Sequence, residues 1–243
     1  MARRRFFVSE VRKGEAVIEG EDARHLTRVL RVEVGQRYEI SDGARVYLAE
    51  VVAARKEFVE FHMVEDVPPA APLARVSLLA SLIKFDHFEL LIEKATELGV
   101  AEIVPVIAAR TETGLEKAVP KRMERWRRIA LEASQQSRRD RLPKISGAVS
   151  FGEALQIEAR RRFLLDEDPE GGVPLLDAVG FDGAADDSVA LLNGPEGGWT
   201  QSEREAAGRR GWTRVSLGPQ ILRAETAAIA SLSVVMAAWH SPR

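Results

Sequence analysis

The run VPPAAPLA, Val67 to Ala74, carries three prolines and no charge, and it divides the chain into two stretches of different rhythm. Proline fixes φ and removes a backbone donor, so this run suits a linker rather than the interior of a strand or helix. The domain boundary is placed there, with one domain over residues 1–70 and a second over 71–243. Before it, FFVSE, EAVIEG, RYEISDG, RVYLAEVVAA and FVEFHMVED are short, rich in β-branched residues and punctuated by turns. They predict a small β-barrel-like domain with one helical piece around Asp22 to Leu30.

Beyond the prolines the pattern alternates. VSLLASLI reads as a strand apolar on both faces, followed by a helix capped by Asp86 and Glu89, striped by Phe88, Leu91, Ala95 and Leu98, and ended by Gly99. EIVPVIAA is the next strand, and Pro120 starts a long basic helix with Met123, Trp126, Ala130 and Ala133 on its apolar side. Strands follow at RRFLLD, SVALLNG and RVSLG. Thr200 with Glu203 forms a capping box, and Ile229, Leu232, Val235, Met236 and Trp239 give the last helix its buried face. Such alternation implies an α/β domain with a mostly parallel sheet covered on both sides.

Composition narrows the functional classes. At 243 residues and 45% hydrophobic, the chain has room for a real core; it contains no cysteine, which excludes disulfides, thiolate zinc sites and thiol nucleophiles. Only Phe6, Phe7 and Val8 follow the basic N-terminus before polar residues return, and the apolar stretch AAIASLSVVMAAW is too short to span a bilayer. A soluble, cytoplasmic protein with no membrane partner is expected. The net charge is −2, yet Lys117 to Lys144 holds ten Lys or Arg against three Asp or Glu, a local +7 that leaves −9 for the rest. A second basic set, Arg3, Arg4, Arg5, Arg12, Lys13, Arg24, Arg28 and Arg31, lies at the N-terminus among five acids. Clustered positive charge on a mildly acidic chain suits localised phosphate binding, although a basic helix is also an ordinary solvated face.

Ligands of a parallel α/β sheet sit beyond the carboxyl ends of its strands. Two loops there stand out. NGPEGGW follows one apolar strand, and LGPQILRAETAA follows the next, with Arg223 and Glu225 arriving as the last helix begins. Neither GxGxxG nor GxxxxGK[ST] is present, which argues against a nicotinamide or triphosphate site. Gly-Pro pairs also mark ordinary turns, and an acid in a first helical turn suits the dipole. Together, however, two such turns without a phosphate-cradling lysine suit a ligand held by backbone groups in an apolar slot. An adenosine group without polyphosphate fits, and S-adenosylmethionine is the commonest such cofactor.

LNGPEGGWTQSE with LGPQILRAETAA closely resembles the paired C-terminal motifs of the RsmE family within the SPOUT methyltransferases, which methylate N3 of a uridine in small-subunit ribosomal RNA. The similarity extends to RFFV, HLTRVLRVEVGQ, EKATELGV and RWRRIALEASQQSRRDRLPKI, in the same order along the chain. It implies a PUA-like N-terminal barrel that binds RNA and a SPOUT α/β domain whose end is threaded into a trefoil knot, a feature no periodicity would suggest. It also implies S-adenosylmethionine held by Leu192, Gly194, Glu196 and Gly197 from the first loop and by Leu217, Gly218, Ile221, Leu222 and Arg223 from the second. A homodimer is implied, acting on small-subunit ribosomal RNA or the assembled 30S subunit, with no metal. The sequence departs from the family pattern at Gln220 in place of Arg, Ala224 in place of Thr, Asn193 in place of an aliphatic residue and Gln135 in place of Glu.

The chemistry itself restricts the candidates. Methyl transfer is an in-line displacement, accelerated mainly by holding the nucleophile about 3–3.5 Å from the methyl carbon. Uridine N3 carries a proton on the Watson–Crick edge, so the base must be unpaired and the proton removed. Glu196 and Glu225 are candidate bases, and Arg139 and Arg223 candidate cations for the uridine anion; the alternative reading of Glu225 is a first-turn carboxylate paired with Arg223. Arg4, Arg24, Arg28, Arg31, Lys84, Arg138 and Arg139 are candidate RNA contacts, and His25 reads as a packing or hydrogen-bonding residue. A ribosome-assembly factor without methyl transfer, or a SPOUT enzyme for another nucleotide, would share these features.

Overall fold

The computed structural model describes residues 4–68, 74–168, 172–181 and 187–240; Arg3 and the centre of the proline-rich run lie outside them. The chain divides into two compact units, Met1–Ala71 with Ser134–Leu142, and Pro72–Ala133 with Pro143–Arg243. A single cut at the prolines misses the nine-residue exchange, because nothing in the helical periodicity before Ser134 marks where its contacts change.

The first unit contains β1 (Arg5–Phe7), β2 (Glu15–Glu19), α1 (Gly20–Arg28), β3 (Arg37–Ser41), β4 (Val46–Ala54) and β5 (Phe58–Val67). The strands form one curled sheet in the order β1-β3-β4-β5-β2, a half-barrel, antiparallel except where β1 runs parallel to β3. Register shifts between Leu48 and Ala49 and between Val51 and Ala53 strengthen its twist. Ala16 and Ile18 alternate inward along β2 and join Phe6, Ile40 and Phe61 in a core that Ala23 and Leu26 of α1 cover.

Arg5 corrects the expectation of a surface cation. Only 6% exposed, its guanidinium donates to Glu39 Oε2 at 2.9 and 3.1 Å, to the Arg138 carbonyl at 2.8 Å and to Asp140. Arg138 in turn reaches Glu39 Oε1 at 2.8 Å, and Ser41 Oγ donates to the Asp140 carbonyl at 2.7 Å. A buried charge is tolerable because it is paired and hydrogen-bonded throughout. An Arg5→Met variant is expected to expose β1 and β3 amides to exchange about 30- to 150-fold faster, the equivalent of roughly 2–3 kcal/mol. Hydrogen–deuterium exchange measures it, and unaltered protection would show that the network adds nothing.

The second unit contains β6 (Arg75–Ser81), α2 (Phe85–Glu97), β7 (Glu102–Ile107), most of α3 (Leu115–Gln136), β8 (Lys144–Ile145), β9 (Val149–Ser150), α4 (Phe151–Ala154), β10 (Arg161–Leu165), β11 (Val173–Pro174), α5 (Leu175–Val179), β12 (Ser188–Asn193), α6 (Gln201–Arg209), β13 (Thr213–Ser216) and α7 (Ala224–His240). The strands pair in parallel in the order β11-β13-β10-β12-β6-β7-β8, with β9 also on β7. On one face Leu78, Val189 and Leu191 pack with Phe88 of α2, Trp126 of α3, Val179 of α5 and Leu232 of α7. On the other, Leu79, Ala190 and Leu192 pack with Ala154 of α4, Ala207 of α6, Trp199 and Trp212. Burial on both faces explains why these strands are apolar throughout.

Two local expectations are corrected. Lys84, not Asp86, occupies the N-cap of α2, without a side-chain hydrogen bond, and Glu89 instead accepts from Arg122 at 3.2 Å and Arg125 at 2.8 Å of α3. Helix α3 begins at Leu115, ahead of Pro120, because Glu116 Oε2 accepts from the Gly114 amide at 2.9 Å and so orders a turn upstream. Thr200 and Glu203 do form a full capping box at the start of α6.

Candidate functional site: a cleft at the ends of three parallel strands

Strands β13, β10 and β12 are neighbours, so the loops leaving their carboxyl ends converge. They enclose a cleft of about 410 Å³, bounded also by His87 of α2 and by Glu225 and Ala227 of α7. From the β12 loop come Asn193, Gly194, Pro195, Glu196, Gly198 and Trp199; from the β13 loop, Leu217, Gly218 and Gln220 to Arg223. A third wall, Leu165, Asp166 and Glu167 after β10, carries no signal in the sequence, where LLDED lacks any glycine or proline.

Local geometry explains the glycines. Gly198 has φ +67 in a turn closed by its amide on the Pro195 carbonyl at 2.9 Å, and a Cβ there would meet Glu167 Oε1 at 2.4 Å. A Cβ on Gly194 would lie 3.1 Å from the Trp199 ring. That ring is 2% exposed and donates its indole N–H to the Leu165 carbonyl at 2.8 Å, tying the β12 loop to the end of β10. Gly218 has φ +124, and a Cβ there would meet no atom within 4 Å, so its backbone borders open space.

Of the nine residues implied as cofactor contacts, Gly194, Glu196, Leu217, Gly218, Ile221, Leu222 and Arg223 line the cleft. Leu192 lies instead in the core beneath, fully buried, because strand alternation turns it towards Trp199 and Leu79. The Gly197 carbonyl is bound by Arg110 Nη1 at 2.6 Å, and Gly197 does not border the space. Among the catalytic candidates Glu196 is exposed at the cleft, as is Arg223, while Glu225 is 6% exposed and holds His87 Nδ1 at 2.9 Å. The expected pairing of Glu225 with Arg223 is thus replaced by one with His87, which sequence spacing could not reveal across 138 positions.

Arg139 belongs to the other unit. There the turn that follows α3 places Arg138 at φ +57, with the Arg139 amide reaching back to the Ser134 carbonyl at 3.0 Å, a helix stop usually given to glycine. Burial pushes the Arg139 guanidinium down to about 10, which leaves it charged at neutral pH. Among the other candidate RNA contacts, Arg4, Arg28, Arg31 and Lys84 are exposed, Arg24 is held by Glu57 at 2.7 Å, and Arg138 by Glu39. His25 is exposed rather than packed.

The wall after β10 is built on charge. Asp166, its carboxylate fully covered, accepts from Arg204 at 2.7 and 3.0 Å and from Arg214 at 2.9 Å. Burial pushes this carboxyl up, but the Arg204 hydrogen bonds, the Asp168 amide and the two arginine charges more than offset it and hold it below its ordinary value. A depressed carboxyl stabilises the fold above its unfolded pKa of about 3.9, and that stabilisation is lost as pH falls through the folded value. Melting temperature should therefore drop as pH falls below about 4, and Asp166→Asn should flatten that limb; an equally steep limb in the variant would assign the acid sensitivity elsewhere.

Among the described residues no cluster of His, Asp and Glu could hold a metal ion, and no helix is long and apolar enough to cross a membrane. What the cleft offers is a largely apolar slot with backbone glycines, one buried carboxamide and charged groups at its rim. Ile221, 79% exposed, and Leu222 border it, apolar surface suited to covering by a ligand.

Comparison with known proteins agrees with this geometry. A model described as an RNA methyltransferase domain matches residues 69–236, and one described as an RNA methyltransferase PUA domain matches residues 18–64. Ribosomal RNA small subunit methyltransferase E of Aquifex aeolicus is 30% identical over 95% of this chain and 98% of its own. The crystal structure of ribosomal RNA small subunit methyltransferase E from Neisseria gonorrhoeae bound to S-adenosyl methionine is similar with a TM-score of 0.85, at 27% identity over 98% of each chain. A putative methyltransferase from Legionella pneumophila, in complex with the same cofactor, is similar with a TM-score of 0.86, at 27% identity over 98% of this chain and 99% of that one.

Proposed function

Because this chain belongs to the ribosomal RNA small subunit methyltransferase E family of RNA methyltransferases, we propose that it transfers the methyl group of S-adenosylmethionine to N3 of a uridine in small-subunit ribosomal RNA. It is an S-adenosylmethionine-dependent ribosomal RNA methyltransferase; the N3 position is the finer part of the proposal. The observation that carries it is the cleft itself: three loops at adjacent strand ends, with open space beside the Gly218 backbone and a buried, unpartnered amide at Asn193, fit an uncharged nucleoside with a short tail.

When bound, S-adenosylmethionine supplies an electrophilic methyl on a sulfonium. Leu217, Leu222 and Leu165 would hold the apolar body of the cofactor, and the backbone of Gly194 and Gly218 would admit it closely. Glu196, exposed at the rim, removes the N3 proton of a uridine brought to the cleft, and Arg223 at the same rim stabilises the resulting anion, Arg139 being the other candidate cation. Glu225 and His87 act as a pair that fixes the start of α7 against α2. Residues 1–70, with the Ser134–Leu142 segment, hold the RNA through phosphate contacts from Arg4, Arg24, Arg28, Arg31 and Arg138, and Lys84 adds one from the second domain, 71–243. The end of that domain is threaded as a trefoil knot, and the enzyme works in the cytoplasm as a homodimer.

The test is transfer of labelled methyl to small ribosomal subunits that lack their native modifications, followed by nuclease digestion and mass spectrometry. N3-methyluridine is expected. Cofactor binding by calorimetry with no incorporation would overturn the enzymatic reading in favour of a binding-only assembly factor, and another methylated nucleoside would overturn the N3 assignment alone.

A further inference from the structure

Asn193 is 2% exposed, and neither its Nδ2 nor its Oδ1 has a hydrogen-bond partner. Buried amides are nearly always satisfied, and one left open destabilises the fold that contains it. An aliphatic residue here would avoid the penalty. Asn193 closes β12 opposite Ala80, so alternation turns its side chain to the face of Val189 and Leu191, on the side of α2 and α7. There it borders the cleft beside His87 and Glu225, which already satisfy one another at 2.9 Å.

We infer that Asn193 reads the adenine of the adenosyl group, its Oδ1 accepting from the exocyclic amine and its Nδ2 donating to N7 on the same edge, and thereby selects adenine over other purines. A carboxamide is complementary to that edge, as Asn is to adenine in nucleic-acid recognition. The cofactor's ammonium and carboxylate call for charged partners, which Asn193 does not supply. Leu165, Leu217 and Leu222 provide the apolar walls that a flat ring requires. The inference rests on the cleft being the cofactor site, and its test separates the two.

Calorimetry with S-adenosylhomocysteine and S-inosylhomocysteine, in which a carbonyl replaces the amine, N1 gains a proton and the N7 edge presents two acceptors, measures the selection directly. The wild type should prefer the adenosyl compound, and Asn193→Leu should bind it about ten- to hundredfold more weakly with the preference collapsed. Melting of the ligand-free variant adds a readout of opposite sign: removing an unsatisfied amide should raise its Tm by roughly 2–6 °C. Asn193→Ala repeats the comparison without added bulk. Retained preference in both variants, or a wild type that binds both compounds equally, overturns the inference and leaves the cofactor reading intact. A wild type that binds neither overturns both.

Discussion

A Trp199→Ala variant is expected to lose about 3–5 kcal/mol of stability, a fall of roughly 6–20 °C in Tm for a chain of this size. Three contributions coincide at this ring. Its body fills the core between Leu79, Leu164 and Leu192 and meets Phe151 with centroids 5.3 Å apart, so truncation leaves a cavity in the layer beneath β12. Its N–H is the partner of the Leu165 carbonyl at 2.8 Å, which would be left unsatisfied. Its ring also packs against Gly194, where a Cβ would come within 3.1 Å of it, tighter than an ordinary contact. Loss of S-adenosylhomocysteine affinity should therefore accompany loss of stability. Trp199→Phe separates the effects by keeping most of the volume and removing the N–H, and it should fall between wild type and alanine. A melting temperature within about 2 °C of wild type for the alanine variant would show that the ring does not hold these loops.

Trp199 also shows what the sequence could and could not disclose. The glycine turn before it and the Thr200 capping box after it were readable, since both are local patterns with a backbone cause. So were the parallel sheet, from strands apolar on both faces, and the two converging Gly-Pro loops. The third wall was not, because Asp166 and Glu167 follow β10 with ordinary acidic residues whose meaning comes from Arg204 and Arg214, 38 and 48 positions away. The same limit applies to Glu225, whose partner His87 lies on a helix distant in sequence, and to Arg5, which reads as one more surface cation until Glu39 and Asp140 enclose it. Ion pairs of long sequence separation leave no periodicity. The handover of Ser134–Leu142 to the N-terminal unit escaped for a related reason: a helix keeps its 3.6-residue pattern whichever body it packs against.

Glu196→Gln is expected to lower kcat for methyl transfer by about 10²- to 10⁴-fold while leaving S-adenosylhomocysteine affinity within about threefold. N3 of uridine cannot attack carbon while it carries its proton, so a group at the mouth of the cleft must take that proton as the bond forms. Four carboxylates border the cleft: Asp166 is covered and held by Arg204 and Arg214, Glu167 is exposed after β10, and the two sequence candidates, Glu196 and Glu225, are placed differently. Glu225 is buried and has one oxygen committed to His87, whereas Glu196 is exposed on the β12 loop, beside the backbone glycines, where an incoming base would arrive. Glutamine preserves size and one acceptor but binds a proton far less readily, so binding should survive while turnover fails. The rate of the variant should then climb with pH in proportion to hydroxide, because ionisation of N3 in solution replaces the missing base. Glu225→Gln should behave otherwise, loosening the α2–α7 contact and weakening cofactor affinity more than the chemical step. If Glu196→Gln turns over within about fivefold of wild type with an unchanged pH profile, the proton leaves by another route, and a cation such as Arg223 would have to lower the N3 barrier by stabilising the anion alone.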